Sequence, residues 1–240
     1  MRVFILCLAV LFLFTTAQAL DYDFEDKRQL KEEWEIIGGD WKIQNGVLRG
    51  QNAPAAGGND HGPGIVVGEE DWTDYVFEFK MMVEKGKNGP GPLIRYQDPQ
   101  NWYYFEAWKG KFFLRPHLLK HGVKDGAPDP IPGTIWEQKD FPGDGKWHDI
   151  KISAEGENIA GWVDGKQIWK YTFNKIKWGR PAAPVKQGLL KGKVGFTTWS
   201  QPDSIGVFDN VRITGPGIPG LSVSPDKKLA TTWGQIRDLN

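Results

Sequence analysis

The sequence predicts an all-β protein, a two-sheet antiparallel sandwich with one short amphipathic helix at its C-terminal end. Three observations carry this. Apolar residues recur at every second position in many short segments, the period of a half-buried strand. Turn residues (Gly, Pro, Asn and Asp) separate those segments. Helical spacing is confined to Leu229, Trp233 and Ile236, at i, i+4 and i+7.

In chain order, Met1-Arg2, an apolar block from Val3 to Phe14 and the small-residue site Ala17-x-Ala19 read as a signal peptide over residues 1–19. The block holds roughly twelve residues, short of the ~20 that a bilayer span requires. The mature chain is therefore expected to begin at Leu20, to lack a membrane span, and to be exported to the periplasm or the extracellular space. Residues 20–214 read as one sandwich, 215–223 as a linker and 224–240 as a short helical tail. In the tail, Ser224-Pro225-Asp226 offers an N-cap, a proline at N1 and an acid in the first turn. The tail helix is expected to dock on its own sandwich, with a partner protein as the alternative.

Within the sandwich, Trp41-Lys-Ile-Gln, an Asn45-Gly46 turn and Val47-Leu-Arg form a hairpin of type I′ geometry. Tyr75, Phe77, Phe79 and Met81 line one face of a long strand whose other face carries Glu78 and Lys80. Leu93 to Tyr96 precedes a tight Asp98-Pro-Gln-Asn101 turn, in which an Asx side chain satisfies the backbone. Further strands are expected over 147–153, over 159–163 with an Asp164-Gly165 turn, and over 167–173, 193–199 and 207–214. Long connections over 52–64, 118–145 and 174–192 are expected to rim one edge of a sheet.

The only cysteine, Cys7, falls in the signal peptide, so the mature chain has no disulfides and no thiolate metal sites. Thirty basic residues balance thirty acidic ones with no basic stripe, which argues against a nucleic-acid partner. The absence of an Asn-x-Ser/Thr sequon suits a bacterial exported protein. Twelve tryptophans exceed what one core of this size needs, so some are expected to be exposed for a purpose.

The segment Asn101-Trp-Tyr-Tyr-Phe-Glu-Ala-Trp-Lys-Gly-Lys-Phe-Phe-Leu-Arg115 reads as two strands joined at Lys109-Gly110. Alternation puts Tyr103, Phe105 and Ala107 on a core face, and Trp102, Tyr104, Glu106 and Trp108 on the other. Flat rings beside a carboxylate suit a sugar: rings stack on the C–H side of a pyranose while charged groups bond its hydroxyls. Arg95, between a core-facing Ile94 and Tyr96, is expected to join that patch, with Arg115 and His117 from the next strand. Substrate binding is assigned to Arg95, Trp102, Tyr104, Trp108 and Arg115. Catalysis, if present, falls to Glu106 and His117, an imidazole of ordinary pKa about 6.5 being suited to proton transfer. Glu106 and Arg115 equally suit a cross-strand ion pair on a solvated face. Glu69-x-Asp71-x-x-Asp74 comes close to the Glu-x-Asp-x-x-Glu strand of jelly-roll glucanases, but it ends in Asp before a strand and reads as a solvated turn. His61, His121 and His148 read as polar surface residues. No zinc spacing, nucleophile elbow or phosphate loop occurs.

Together, Asp23-Phe-Glu-Asp, Gly39-Asp-Trp-Lys-Ile-Gln-Asn-Gly-Val-Leu48, Asp98-Pro-Gln-Asn-Trp-Tyr-Tyr104, Gly145-Lys-Trp-His-Asp-Ile-Lys-Ile152, Val163-Asp-Gly, Gly192-Lys-Val-Gly-Phe196 and Phe208-Asp-Asn-Val211 resemble the concanavalin A-like (laminin G-like) jelly rolls of bacterial exported proteins. The nearest subgroup is the 3-keto-disaccharide hydrolase-type domains, and the resemblance spans roughly residues 20–215. It implies a carbohydrate partner, held on the concave sheet face or the loop rim. A glycan-recognising protein is the first reading. A hydrolase of 3-keto-glycosides, with Glu106, His117 and the arginines polarising a keto-sugar and activating water, is the alternative, and a structural or adhesive module the second. The resemblance further implies a structural Ca²⁺ between the terminal strands, with Asp23 and Asp209 as its ligands. The other reading of Asp21, Asp23, Glu25 and Asp26 is an acidic edge strand kept soluble by its charge.

Overall fold

The computed structural model describes residues 19–51, 62–86, 89–108, 110–118, 136–138, 141, 143, 145–173, 177–178, 183–184, 188–198 and 204–219. The expected signal peptide through residue 18, the loop over 52–61, much of the 118–145 connection and the tail helix lie outside these residues. In the first half of the chain the elements are β1 (Ala19–Tyr22), α1 (Arg28–Glu32), β2 (Glu35–Ile36), β3 (Asp40–Gln44), β4 (Val47–Gln51), β5 (Ile65–Val67), β6 (Tyr75–Lys85), β7 (Gly91–Asp98), β8 (Asn101–Trp108) and β9 (Lys111–Leu118). The second half adds β10 (Trp136–Glu137), β11 (His148–Glu155), β12 (Asn158–Val163), β13 (Lys166–Thr172), β14 (Lys177–Trp178), β15 (Ala183–Pro184), β16 (Lys193–Thr197) and β17 (Ile205–Thr214).

Fifteen of these strands form two antiparallel sheets, and β14 pairs with β15 apart from them. One has eight strands, in the order β13-β12-β11-β6-β17-β4-β3 with β1 also on β17, and the other has seven, β10-β9-β8-β7-β16-β5-β2. This is the all-β, jelly-roll-like sandwich that the alternation predicts. Along β6 the buried residues Tyr75, Phe77, Phe79 and Met81 alternate with half-buried Val76, Glu78, Lys80 and Met82, so one face turns inward. Between the sheets, Phe196 stacks on Phe208 at 3.9 Å and Phe105 on Trp169 at 4.7 Å, rings from opposite layers meeting face to face.

Turn chemistry fixes the registers. Asn45-Gly46 and Asp164-Gly165 all take positive φ (55°, 72°, 50° and 76°), the conformation a two-residue hairpin turn demands. In the Asp98–Asn101 turn, Asp98 Oδ1 accepts from Gln100 N–H at 2.9 Å and from the Asn101 side-chain amide at 2.7 Å. The last strand is central: β17 pairs with β6 along one edge, and its other edge is shared by β4 and then β1. A bulge between Asp209 and Arg212 marks the changeover. Among the described residues, no helix is long and apolar enough to cross a membrane.

Candidate functional site

The outer face of the seven-stranded sheet holds the expected aromatic patch, although it is closed rather than open. Tyr103, Phe105 and Ala107 lie in the main core, while Trp102 and Tyr104 form a second cluster with Val66, Leu93 and Tyr96 on the opposite face. Trp102, Tyr104 and Glu106 are 0, 1 and 2 % exposed, so they wall a buried region and are no surface platform. Trp102 and Tyr104 lie 4.9 Å apart and tilted, and the indole N–H of Trp102 donates to the Pro99 carbonyl at 3.2 Å, locking the ring to the preceding turn. Leu93 is the register partner of Tyr104, so Gly91, two residues along, lies beside Glu106. A Cβ at Gly91 would run into the Phe105 carbonyl oxygen, so the neighbouring strand packs bare backbone against the backbone of Phe105 and Glu106.

The register of β8 on β9 sets Trp102 opposite His117, Tyr104 opposite Arg115 and Glu106 opposite Phe113. Four residues of strand, about 13 Å, therefore separate the Glu106 and His117 positions. The two stand at opposite ends of one face. The side chains of Trp108, Arg115 and His117 lie outside the described set.

Arg95 does not join this face. A register irregularity between Ile94 and Asp98, with Arg95 at φ 52°, reverses the alternation, so Tyr96 packs with Trp102 and Arg95 turns to the core side. There it is fully buried, donating to the Leu189 carbonyl at 2.7 Å and the Gly156 carbonyl at 2.5 Å, with its guanidinium 5.6 Å over the Phe173 ring. Its backbone N–H donates to the Tyr75 hydroxyl, whose pKa burial pushes up to about 12 against the opposing pull of Arg95. The residue read as a sugar ligand is an internal clamp.

One histidine reads differently in three dimensions. His148 is buried, its Nδ1 2.9 Å from Asp164 Oδ2 and its ring edge-on to Phe141 at 4.8 Å. The alternation of β11, which puts His148 on the inner face with Ile150 and Ile152, is the signal that marks it as more than a surface residue. His61 and His121 lie outside the described residues.

At the β17 bulge, Asp209 meets Asp23 and Glu25. Burial raises the Asp209 pKa above its ordinary value, and the charges of Asp23 and Glu25 raise it further. Asp23 Oδ1 accepts from Glu25 N–H at 3.2 Å and Asp209 Oδ1 from Asn210 N–H at 2.7 Å. Among the described residues, no group of three or more His, Cys, Asp or Glu is arranged to hold a metal ion. These carboxylates supply the charge that calcium favours and six oxygens at most, of which Asp23 Oδ1 and Asp209 Oδ1 already accept backbone N–H bonds.

The model of one family, described as the 3-keto-alpha-glucoside-1,2-lyase-like domain, matches residues 22–214, most of the chain and nearly all of the sandwich. This chain belongs to that family. Solved structures similar to this lyase-like domain include the carbohydrate-binding module CBM66 from Bacillus subtilis, at 17 % identity and TM-score 0.54, over 76 % of this chain and 96 % of that one. A Bacillus subtilis protein of unknown function with a galectin-like fold matches at 13 % identity and TM-score 0.54, over 83 % and 96 %. Beta-agarase B from Zobellia galactanivorans matches at 12 % identity and TM-score 0.57, over 81 % and 91 %. At these identities the likeness is one of fold, a sandwich used by carbohydrate-binding modules and glycosidases alike. No curated protein matches the chain.

Proposed function

We propose that this lyase-like domain binds carbohydrate on the outer face of the seven-stranded sheet and cleaves 3-keto-glycosides there, with Glu106 moving the proton. The supporting observation is the position of that carboxylate, 2 % exposed, two residues from Tyr104 on one face of the strand. Taking a carboxylate out of water is costly. A module that only stacked sugars would gain by leaving its rings open, whereas Trp102 and Tyr104 are closed off.

The family description supplies the substrate class, an α-glucoside oxidised at C3. A ketone at C3 acidifies the hydrogen on C2. When a carboxylate takes that proton, the electron pair passes into an enolate, and its collapse expels the oxygen on C1. The leaving oxygen is protonated, and water added across the resulting double bond completes a net hydrolysis. In this reading Arg115, His117 and Trp108 contact the sugar, while the buried Trp102 and Tyr104 fix the strand that carries Glu106.

The test is turnover of a 3-keto-α-glucoside by the full chain, followed as released sugar. Glu106→Gln preserves shape and is expected to lower turnover ~10²-fold or more with melting unchanged. Wild-type turnover in that variant sinks the assignment, and glycan retention with no turnover in the parent chain points to a recognition module. Export is proposed on residues 1–19, and a mature chain starting at Leu20, by intact mass from the native host, is the result expected.

A further inference from the structure

We propose a second saccharide-binding surface, on the outer face of the eight-stranded sheet, running from Trp147 to Trp162 and independent of Glu106. Trp147 is 38 % exposed, one of two large hydrophobic residues that stand in solvent among the described residues. It precedes β11, where Asp149 and Lys151 share its face by alternation, and Lys151 is the register partner of Trp162 on β12. Four residues of strand separate Trp147 from Lys151, about 14 Å, so the two indoles stand a short oligosaccharide apart.

Two depressions adjoin the indoles, one toward Trp162 over β11 and β12 and one on the far side of Trp147 over β17, β4 and β3. One, of ≈ 520 Å³, is lined by Glu78, Lys80, Asp149, Lys151, Trp162 and Asn210, among others. The other, of ≈ 500 Å³, has Trp147, Met82 and Val207 beside Arg49, Glu84 and Gln44. β6 runs through both, with Glu78 and Lys80 in the first and Met82 and Glu84 in the second. Their polar groups are already held in place. Lys151 Nζ lies 3.2 Å from Glu78 and 5.6 Å over the Trp162 ring, Lys80 reaches Asp149 at 2.9 Å, and Arg49 forks onto Glu84 with two bonds of 2.8 Å. A ligand meeting fixed donors and acceptors is spared the entropy of ordering them.

The charge pattern selects the ligand class. In the first depression two lysines face two carboxylates, and in the second Lys42 and Arg49 face Glu84, so the surface carries one net positive charge, too little to make a field for nucleic acid or an anionic polymer. A neutral, hydroxyl-rich chain uses both signs, its hydroxyls donating to carboxylates and accepting from lysines, while the indoles stack on its C–H faces. This face points away from the Glu106 face across the sandwich, so it holds a chain and does not act on the bond being cut.

Affinity electrophoresis of the full chain through native gels containing hydroxyethyl cellulose, xylan, laminarin or pullulan tests the proposal. The wild type is expected to be retarded in at least one gel. Trp147→Ala and Trp162→Ala should each weaken that retention by about tenfold, the effect of losing one aromatic anchor. Glu106→Gln should be retarded like the wild type, and both tryptophan variants should turn over a small 3-keto-disaccharide at the wild-type rate, which separates this surface from the Glu106 site. Should Trp162→Ala fail to fold, the exposed Trp147→Ala decides alone. Equal retention of Trp147→Ala and wild type, or no retention of wild type in any of the four gels, overturns the proposal.

Discussion

Arg95 shows how much one residue decides. Its guanidinium ties β7 to the Gly156 turn and to the segment at Leu189. Arg95→Ala leaves two buried carbonyls without their donor and empties the space beside Phe173, an expected loss of about 3 kcal/mol or more in urea unfolding. A loss within ordinary surface scatter, about 0.5 kcal/mol, would make the clamp dispensable. Period-2 reading places the neighbours of Glu106 correctly and fails at Arg95, because a single left-handed residue inverts every later side chain and arginine does not announce that conformation as Gly or Asn would. Asp209 carries a pH signature. Its folded pKa lies above the ordinary 3.8, raised by burial and then by Asp23 and Glu25, so its contribution to folding is complete below pH 3.8 and is lost as pH rises through the folded value. At pH 7 the ionised carboxylate opposes folding. Asp209→Asn is expected to melt higher than wild type at pH 7 in chelator and equally near pH 3; equal melting at both refutes the electrostatic reading. Calcium, which we propose here as a structural ion, reverses the order at pH 7, since an ion at a hundred times its Kd adds about 2.7 kcal/mol to the form that binds it. No shift on adding calcium removes the ion from the account.

Among the elements, those with local signals were legible and those without were not. The hairpin at Asn45-Gly46, the long strand β6 and the Asp98 turn each contain their own instructions, whether a residue tolerant of positive φ, an eleven-residue alternation or an Asx side chain. Strands β2, β5 and β10 have two or three residues each, too few to display a period, and exist because a neighbouring strand offers them an edge. β1 is short but well anchored. Leu20 and Tyr22 are buried, and the strand pairs from Ala19↔Thr214 to Tyr22↔Val211. Removing residues 1–19 therefore spares both buried side chains and should leave the melting temperature nearly unchanged. Removal through Tyr22 exposes core and should cost about 3 kcal/mol or more, at roughly 1.5–3 kcal/mol per buried side chain. Equal melting of the two truncated chains would show that β1 contributes nothing.

At the scale of the molecule, the class of fold follows from alternation and turns, but the order of strands does not, because pairing between distant segments leaves no mark on either. The most non-local pairing is that of β17. It fills the gap between β6 on one side and β4 with β1 on the other, so the eight-stranded sheet remains in three pieces, β13-β12-β11-β6, β4-β3 and β1, until Thr214 has been made. At 5–20 residues per second, synthesis from Met1 to Thr214 takes roughly 10–40 s. Until His148–Glu155 is made β6 has neither neighbour, and from then until β17 arrives it has β11 alone. Ribosome-tethered chains of graded length are expected to be protease-sensitive when they end at Ser204 and resistant once the tether lies well beyond Thr214; resistance at Ser204 would contradict this. A sandwich that sets its keystone strand last stays threadable, through a membrane pore or past a chaperone, until that strand has been made.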